Sequence, residues 1–246
     1  MTKTKRWKYC APRLLLMDIK PLRFSHSQDD KFRVCPYSWH RIYQLKDVPR
    51  GESEASLWGV HVHEAVEAFV KEGTPLPTNV TQAYGSQLQH LIPFFMQQPT
   101  VLVEPHLGIT EQGEAVDPEH ESCWAHGFID IVAINGAQAW IADWKTGKSA
   151  YPSDQLKLYA AFVFAAHPNV VTITVGYVRL QHNRVDSTTY QRAQMEELLL
   201  PYRQSYARRL SAIASGNFPK ISNPLCRGWC DVGSSCEKYT EKRNYK

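Results

Sequence analysis

Residues 123–159 read CWAHGFIDIVAINGAQAWIADWKTGKSAYPSDQLKLY. Two mostly apolar runs, 124–134 and 138–144, flank Gly136 and read as strands joined by a turn. A helix is expected over 153–167, with Ser153 as its cap. Residues 170–180, VVTITVGYVRL, are rich in β-branched residues and predict another strand. Strand 138–144, helix and strand 170–180 make one βαβ unit, whose two strands run parallel. The fold class is therefore α/β, a small mixed β-sheet with helices on its faces.

The same stretch carries the chemistry. Asp143 ends the strand 138–144 and Lys145 follows two residues on. At strand spacing, residues i and i+2 share a face, so both side chains can enter one cleft. Asp130 lies in the preceding strand and comes near Asp143 if the two strands pair through the turn. Two close carboxylates repel unless a cation sits between them. Carboxylates bind hard divalent cations through oxygen. A nearby lysine can supply positive charge, or handle a proton, where a phosphodiester is cut. The alternative is two unrelated acids at strand ends.

Upstream, residues 24–45 predict a short helix, with Ser25 or Ser27 as cap and Asp29 and Asp30 in its first turn. Residues 46–55 are polar and read as loop. Residues 56–72 read as an amphipathic helix with Leu57, Val60, Val62, Ala65, Val66 and Phe69 on its apolar face, ended by Gly73 and Pro75. It carries His61 and His63 on different faces, each readable as a packed side chain or a ligand. A second helix is expected at 81–97. Residues 100–110, TVLVEPHLGIT, read as a strand broken at Pro105, with a polar hairpin loop over 111–122. Glu104 sits in that strand, where a carboxylate is costly unless paired; otherwise it is an exposed edge acid. Gln155 and Tyr159, four apart on one helix, share a face. They could orient catalytic groups, contact a sugar–phosphate strand, or be ordinary surface residues. A long helix is expected over 188–215, followed by an irregular tail.

The chain has 246 residues, 43% hydrophobic and 21% charged, which fits one large domain or two small ones. No apolar run reaches membrane-spanning length. The basic N-terminus contains no signal peptide, so the cytosol is the default location. Net charge is +4 and the pI about 8.7, a mild balance that excludes little. Lys3, Lys5, Arg6, Lys8 and Arg13 crowd the first 13 residues, and Lys238, Lys242, Arg243 and Lys246 the last nine. Such ends could touch phosphates or be solvated tails. In a reducing compartment six cysteines are not expected to form disulfides. Three of them, Cys226, Cys230 and Cys236, crowd together and point to a metal or a coincidence.

These residues carry a resemblance. Gly59 with His63, Glu104, Gly127 with Asp130, Asp143 with Lys145, and Gln155 with Tyr159 follow, in order, the pattern G-x-x-x-H, strand glutamate, G-x-x-D, (D/E)-x-K and Q-x-x-x-Y. Over about residues 24–240 the chain resembles the RecB-like branch of the PD-(D/E)XK nuclease superfamily. That branch includes bacterial recombination helicase–nucleases, CRISPR-adaptation nucleases and many phage exonucleases. The resemblance implies a restriction-endonuclease-like core in a single domain, 1–246, with a basic extension over 1–22. It favours His63 over His61 and implies that His63, Asp130, Asp143 and the carbonyl of Trp144 hold Mg²⁺ or Mn²⁺. Glu104 would support the site, Lys145 would activate water, and Gln155 and Tyr159 would face DNA. Asp143 stands where Glu is commoner.

Iron–sulfur members of the branch have one cysteine near the N-terminus and three near the C-terminus. The resemblance thus implies that Cys35, Cys226, Cys230 and Cys236 hold a [4Fe–4S] cluster. The cysteine segment over 217–246 would then be tied to the N-terminal helix. The spacing C-x3-C-x5-C departs from the usual C-x2-C-x5-C, and Zn²⁺ is the chemical rival. Cys10 and Cys123 are spare. The implied function is a metal-dependent DNA exonuclease of recombination, repair or phage DNA metabolism, acting on single strands or ends. It would be cytoplasmic, in the host if phage-encoded. No Walker A pattern is present, so a helicase or annealing protein would act in trans. The alternatives are a structure-selective or nicking endonuclease and a catalytically idle DNA-binding module.

Overall fold

The computed structural model describes residues 22–49, 51, 53–147 and 154–240. The basic residues of the first 13, Cys10, the cap expected at Ser153, and Lys242, Arg243 and Lys246 lie outside the described residues. The helices are α1 (His26–Val34), α2 (Pro36–Trp39), α3 (Glu54–Glu72), α4 (Thr78–Met96), α5 (Gln155–Ala166) and α6 (Met195–Ser215). The strands are β1 (Thr100–Val103), β2 (His106–Ile109), β3 (Ala115–Val116), β4 (Ala125–Phe128), β5 (Ile131–Asn135), β6 (Gln138–Lys145), β7 (Thr172–Arg179) and β8 (Arg184–Gln191). Five form a mixed sheet in the order β1-β5-β6-β7-β8, and three form a small sheet, β3-β2-β4. No helix among the described residues is long and apolar enough to cross a membrane.

The βαβ unit is present as expected. β6 and β7 run parallel, with Asp143 opposite Tyr177 and Lys145 opposite Arg179, and α5 connects them. β5 and β6 pair antiparallel across a hairpin closed by Asn135 and Gln138, where Gly136 takes φ +57°. Central strands are covered on both faces, which is why they read as near-continuous apolar runs. One core joins Ala139, Ile141, Ile173 and Val175 to α5 and α6. The other joins Ala142, Trp144 and Val178 to Val62 and Val66 of α3 and Leu88 and Ile92 of α4. β6 is thus clamped from both sides, and its C-terminal end carries Asp143 and Lys145.

The strand at 100–110 breaks beside Pro105 as expected, the strand expected over 124–134 is broken too, and the breaks coincide. Val103 pairs Ile131 in the large sheet, and His106 pairs Phe128 in the small one. Between them Glu104 N donates to Asp130 O at 3.1 Å and Ile129 N to Pro105 O at 3.3 Å. One antiparallel register therefore runs through both sheets and bends where Glu104 takes φ +52°.

Other expectations need correction. The helix 24–45 is three pieces, α1, α2 and a π-helical stretch at His40–Leu45. It breaks at Cys35, whose backbone is extended (φ −160°, ψ 103°) as the residue before a proline prefers. Ser25 is the N-cap of α1 and Asp29 lies in its first turn, as expected, but the serine makes no side-chain cap bond and Asp29 also pairs with buried Arg209 at 2.6 Å. α3 starts at Glu54, with Ser53 and Ser56 forming a capping box. Leu57 and Val60 on it are exposed, so its apolar face is narrower than the sequence suggested. The acidic loop 111–122 contains β3. The helix expected from 188 starts at Met195, because residues 184–191 form β8. That edge strand, RVDSTTYQ, is exposed along most of its length and lacks the apolar pattern that marks buried strands.

Candidate active site

Three elements converge at the C-terminal end of β6. α3 crosses it closely: a Cβ on Gly59 would meet Thr146 Oγ1 at 3.2 Å. One turn on, His63 Nε2 lies 2.8 Å from Trp144 O, and its Nδ1 3.3 Å from Asp130 Oδ1. The other Asp130 oxygen accepts from Trp144 N at 2.7 Å. Asp130 stands at the bend between β4 and β5, opposite Glu104. His63, Glu104 and Asp130 each offer a ligand atom, all within 4.8 Å of one another. Asp143 is outside that triplet. It is 1% exposed, and Lys145 Nζ lies 2.5 Å from its Oδ2.

The electrostatics of this group are unfavourable as it stands. Burial pushes the Glu104 carboxyl up to about 6, and the negative charge of Asp130 adds to the shift. Burial raises Asp143 to about 6, with Lys145 opposing and Asp130 reinforcing the rise. Burial also works against a charged His63, but the hydrogen bond and charge of Asp130 outweigh it and the imidazole's pKa rises. A divalent cation fits this set. It would relieve repulsion among three acids, and carboxylate and carbonyl oxygens with one imidazole are donors that suit a divalent cation. A neutral imidazole nitrogen and a carbonyl oxygen 2.8 Å apart need a proton or a cation between them.

Lys145 is held on its other side. Its Nζ donates to Gln155 Oε1 at 3.1 Å, and Gln155 Nε2 donates to the Tyr159 hydroxyl at 2.7 Å. Tyr159 is buried, and burial holds its pKa well above the usual phenol value. Of the roles open to these two residues, orienting Lys145 is the one this geometry supports. Sequence reasoning missed Tyr177, whose ring centroid lies 5.4 Å from Lys145 Nζ. The parallel register that sets it opposite Asp143 was the signal that could have found it.

A second cluster lies at the other face of α1. Cys35 at the α1–α2 break and Cys226, Cys230 and Cys236 of the tail line one cavity, with Lys31, Val34 and Ser38. Lys31 pairs with Asp231 at 3.0 Å, and Tyr37 N donates to Pro219 O at 3.3 Å, so the tail is fastened to the N-terminal helices. All four thiols are free, and among the described residues no three come within 4.8 Å of one another. Cys123 is buried elsewhere, against β2.

The geometry can be set against known proteins. A chain from Eubacterium rectale described as "Putative exonuclease" superposes with a TM-score of 0.51 at 12% identity, over 90% of this chain and 92% of that one, and so shares the fold. The structure of SSO0001 gives a TM-score of 0.40 at 13% identity, over 89% of this chain and 87% of that one. No curated protein matches the sequence. The family model described as PD-(D/E)XK nuclease superfamily matches residues 23–237. With its five-stranded mixed sheet between helices, its acids at the end of the central strand and that match over most of its length, the chain belongs to the PD-(D/E)XK nuclease superfamily, with a restriction-endonuclease-like fold.

Proposed function

We propose that this protein is a DNA exonuclease that hydrolyses phosphodiester bonds with Mg²⁺ or Mn²⁺, acting on single strands or DNA ends. The observation that carries the reading is the gathering of His63, Glu104 and Asp130 beside the Asp143–Lys145 pair. His63, Asp130, Asp143 and the Trp144 carbonyl are the proposed ligands, with Glu104 supporting them. A bound cation there supplies positive charge to the scissile phosphate and makes water more acidic. Lys145, fixed by Asp143, Gln155 and Tyr177, is placed to orient the attacking water and to stabilise charge developing on the phosphate. The preference for ends over internal sites follows the RecB-like resemblance, and the Eubacterium rectale neighbour carries the same description. By the RecB-like resemblance, the protein would work with a helicase or annealing protein in recombination, repair or phage DNA metabolism.

We also propose that Cys35, Cys226, Cys230 and Cys236 hold a [4Fe–4S] cluster rather than zinc. The support is the cavity the four thiols share, together with the RecB-like resemblance; zinc is the rival that metal analysis would separate.

The deciding experiment incubates the protein with end-labelled single- and double-stranded DNA and with circular DNA, plus Mg²⁺ or Mn²⁺. Release of short products from linear substrate alone is expected. Cutting of circles would replace this reading with the endonuclease one. No cleavage with any metal would leave only a DNA-binding module.

A further inference from the structure

The register that brings Glu104 opposite Asp130 continues past the bend and sets His106 opposite Phe128, one i+2 step further along each strand. By strand rise that step is about 7 Å, similar to one nucleotide step of an extended single strand. Phe128 is 53% exposed, yet it is not loose. The His106 ring stacks on it, with centroids 4.1 Å apart and planes at 13°, and His106 Nε2 lies 2.9 Å from His126 Nδ1. The opposite face of β4 is closed by α5: a Cβ on Gly127 would meet Phe162 at 3.3 Å and Tyr159 at 3.6 Å. A single exposed apolar side chain needs no explanation. This one is held rigid from beneath by a second ring, and it sits on the ladder that carries two of the acids.

We propose that Phe128, backed by His106 and His126, is a stacking platform for a base of single-stranded DNA next to the scissile phosphate. The proposal rests on the nuclease reading above. Every base has a π-face, so such a platform accepts single strands without sequence preference. A base-paired duplex does not offer its base faces there, so the platform selects unpaired ends.

The test uses Lys145→Ala protein, whose cleavage should be about 100- to 1,000-fold slower, and a single-stranded oligonucleotide carrying 2-aminopurine near its end. Binding is read by anisotropy and stacking by quenching of 2-aminopurine, alongside a blunt duplex of the same sequence. Adding Phe128→Ala should weaken single-strand binding roughly 5- to 150-fold, from about 1–3 kcal/mol per stacked base, and abolish the quench. Phe128→Trp should retain both, and duplex binding should not change. An unaltered quench and affinity in folded Phe128→Ala protein overturns the platform, and so does binding of duplex but not single strands. Neither result touches the nuclease reading. Failure of the Lys145→Ala protein to bind any DNA sinks both.

Discussion

At the scale of single residues, the site is defined by acids that burial keeps from ionising easily. Folding raises the carboxyls of Glu104 and Asp143 to about 6. An acid with a raised pKa holds its proton more tightly in the folded chain than in the unfolded one. Its contribution to stability is full below the ordinary carboxylate range, about pH 4, and is lost as pH rises through about 6. Metal-free protein should therefore lose stability across that window. A cation that binds only the folded site restores it where the acids are ionised. The rise in Tm on adding Mn²⁺ should accordingly be larger at about pH 7.5 than at about pH 5, measured by thermal melting at fixed metal concentration. Equal shifts at both would mean that these carboxylates do not face the ion. Lys145→Ala tests the other half of the site. Removing one positioned donor from a developing anion typically costs about 100- to 1,000-fold in rate, so cleavage of end-labelled DNA should fall by that order. The protein should still fold, because Lys145 is partly exposed and the Asp143 carboxyl, already raised to about 6, can take up a proton when its partner is removed. Cleavage at the wild-type rate would remove Lys145 from the mechanism.

Among the elements, what the sequence made legible followed burial. β6, β7 and α5 could be read because central strands and the helix between them are apolar on every side. β8 could not, because an edge strand exposed along its length has no apolar pattern to show. Pro105 marked a break, but the positive φ at Glu104 and the matching break at Asp130 depend on pairing between distant segments. Likewise the positions of His63, Glu104, Asp130, Asp143 and Lys145 were legible as residue types at fixed spacings, whereas Tyr177 needed the register of β7 on β6. Gly59 is a point where element and site meet. Helix propensity alone says that replacing a mid-helix glycine by alanine should stabilise α3 by about 1 kcal/mol. The close approach to Thr146 opposes that, but the contact is a side-chain hydroxyl that can turn away, so Gly59→Ala should fold normally. The larger, branched side chain of Gly59→Val must push α3 off the end of β6 and carry His63 with it. A misplacement of about 1 Å can cost on the order of 100-fold, so Gly59→Val should cleave roughly 10- to 100-fold more slowly and need more metal for half-maximal rate. A metal titration of cleavage checks this, and wild-type behaviour would mean that α3 has slack at this crossing.

Across the whole molecule, α1 joins the two clusters. Arg33 at its C-terminal end bridges Asp29, at 2.7 Å, and Asp154, at 2.6 Å, the residue before α5 and Gln155. Asp29 in turn pairs with Arg209, fully buried among the rings of Phe24, Phe32, Trp39 and Tyr206, which locks α1 to α6. Breaking such a buried pair from one side typically costs about 3–5 kcal/mol, so α1 is a rigid strut. On its far side it meets the tail through Lys31–Asp231 and the cavity of four cysteines. The tail has little apolar core of its own, with Val232 buried while Leu225 and Trp229 are exposed, so a cluster of the proposed kind would add to the Lys31–Asp231 and Tyr37–Pro219 contacts that attach it. Cys230→Ser should therefore lower bound iron, lower Tm and make the tail sensitive to limited proteolysis. Residual cleavage per folded molecule should stay within about tenfold of wild type, because the strut is fixed by Arg209 independently of the tail. Iron analysis, melting, protease digestion and a cleavage assay on the same preparation separate these effects. Iron and Tm unchanged in Cys230→Ser would exclude a cluster at the tail. Cleavage lost in protein that melts normally would show instead that the cysteines act on the chemistry directly, and not through the clasp.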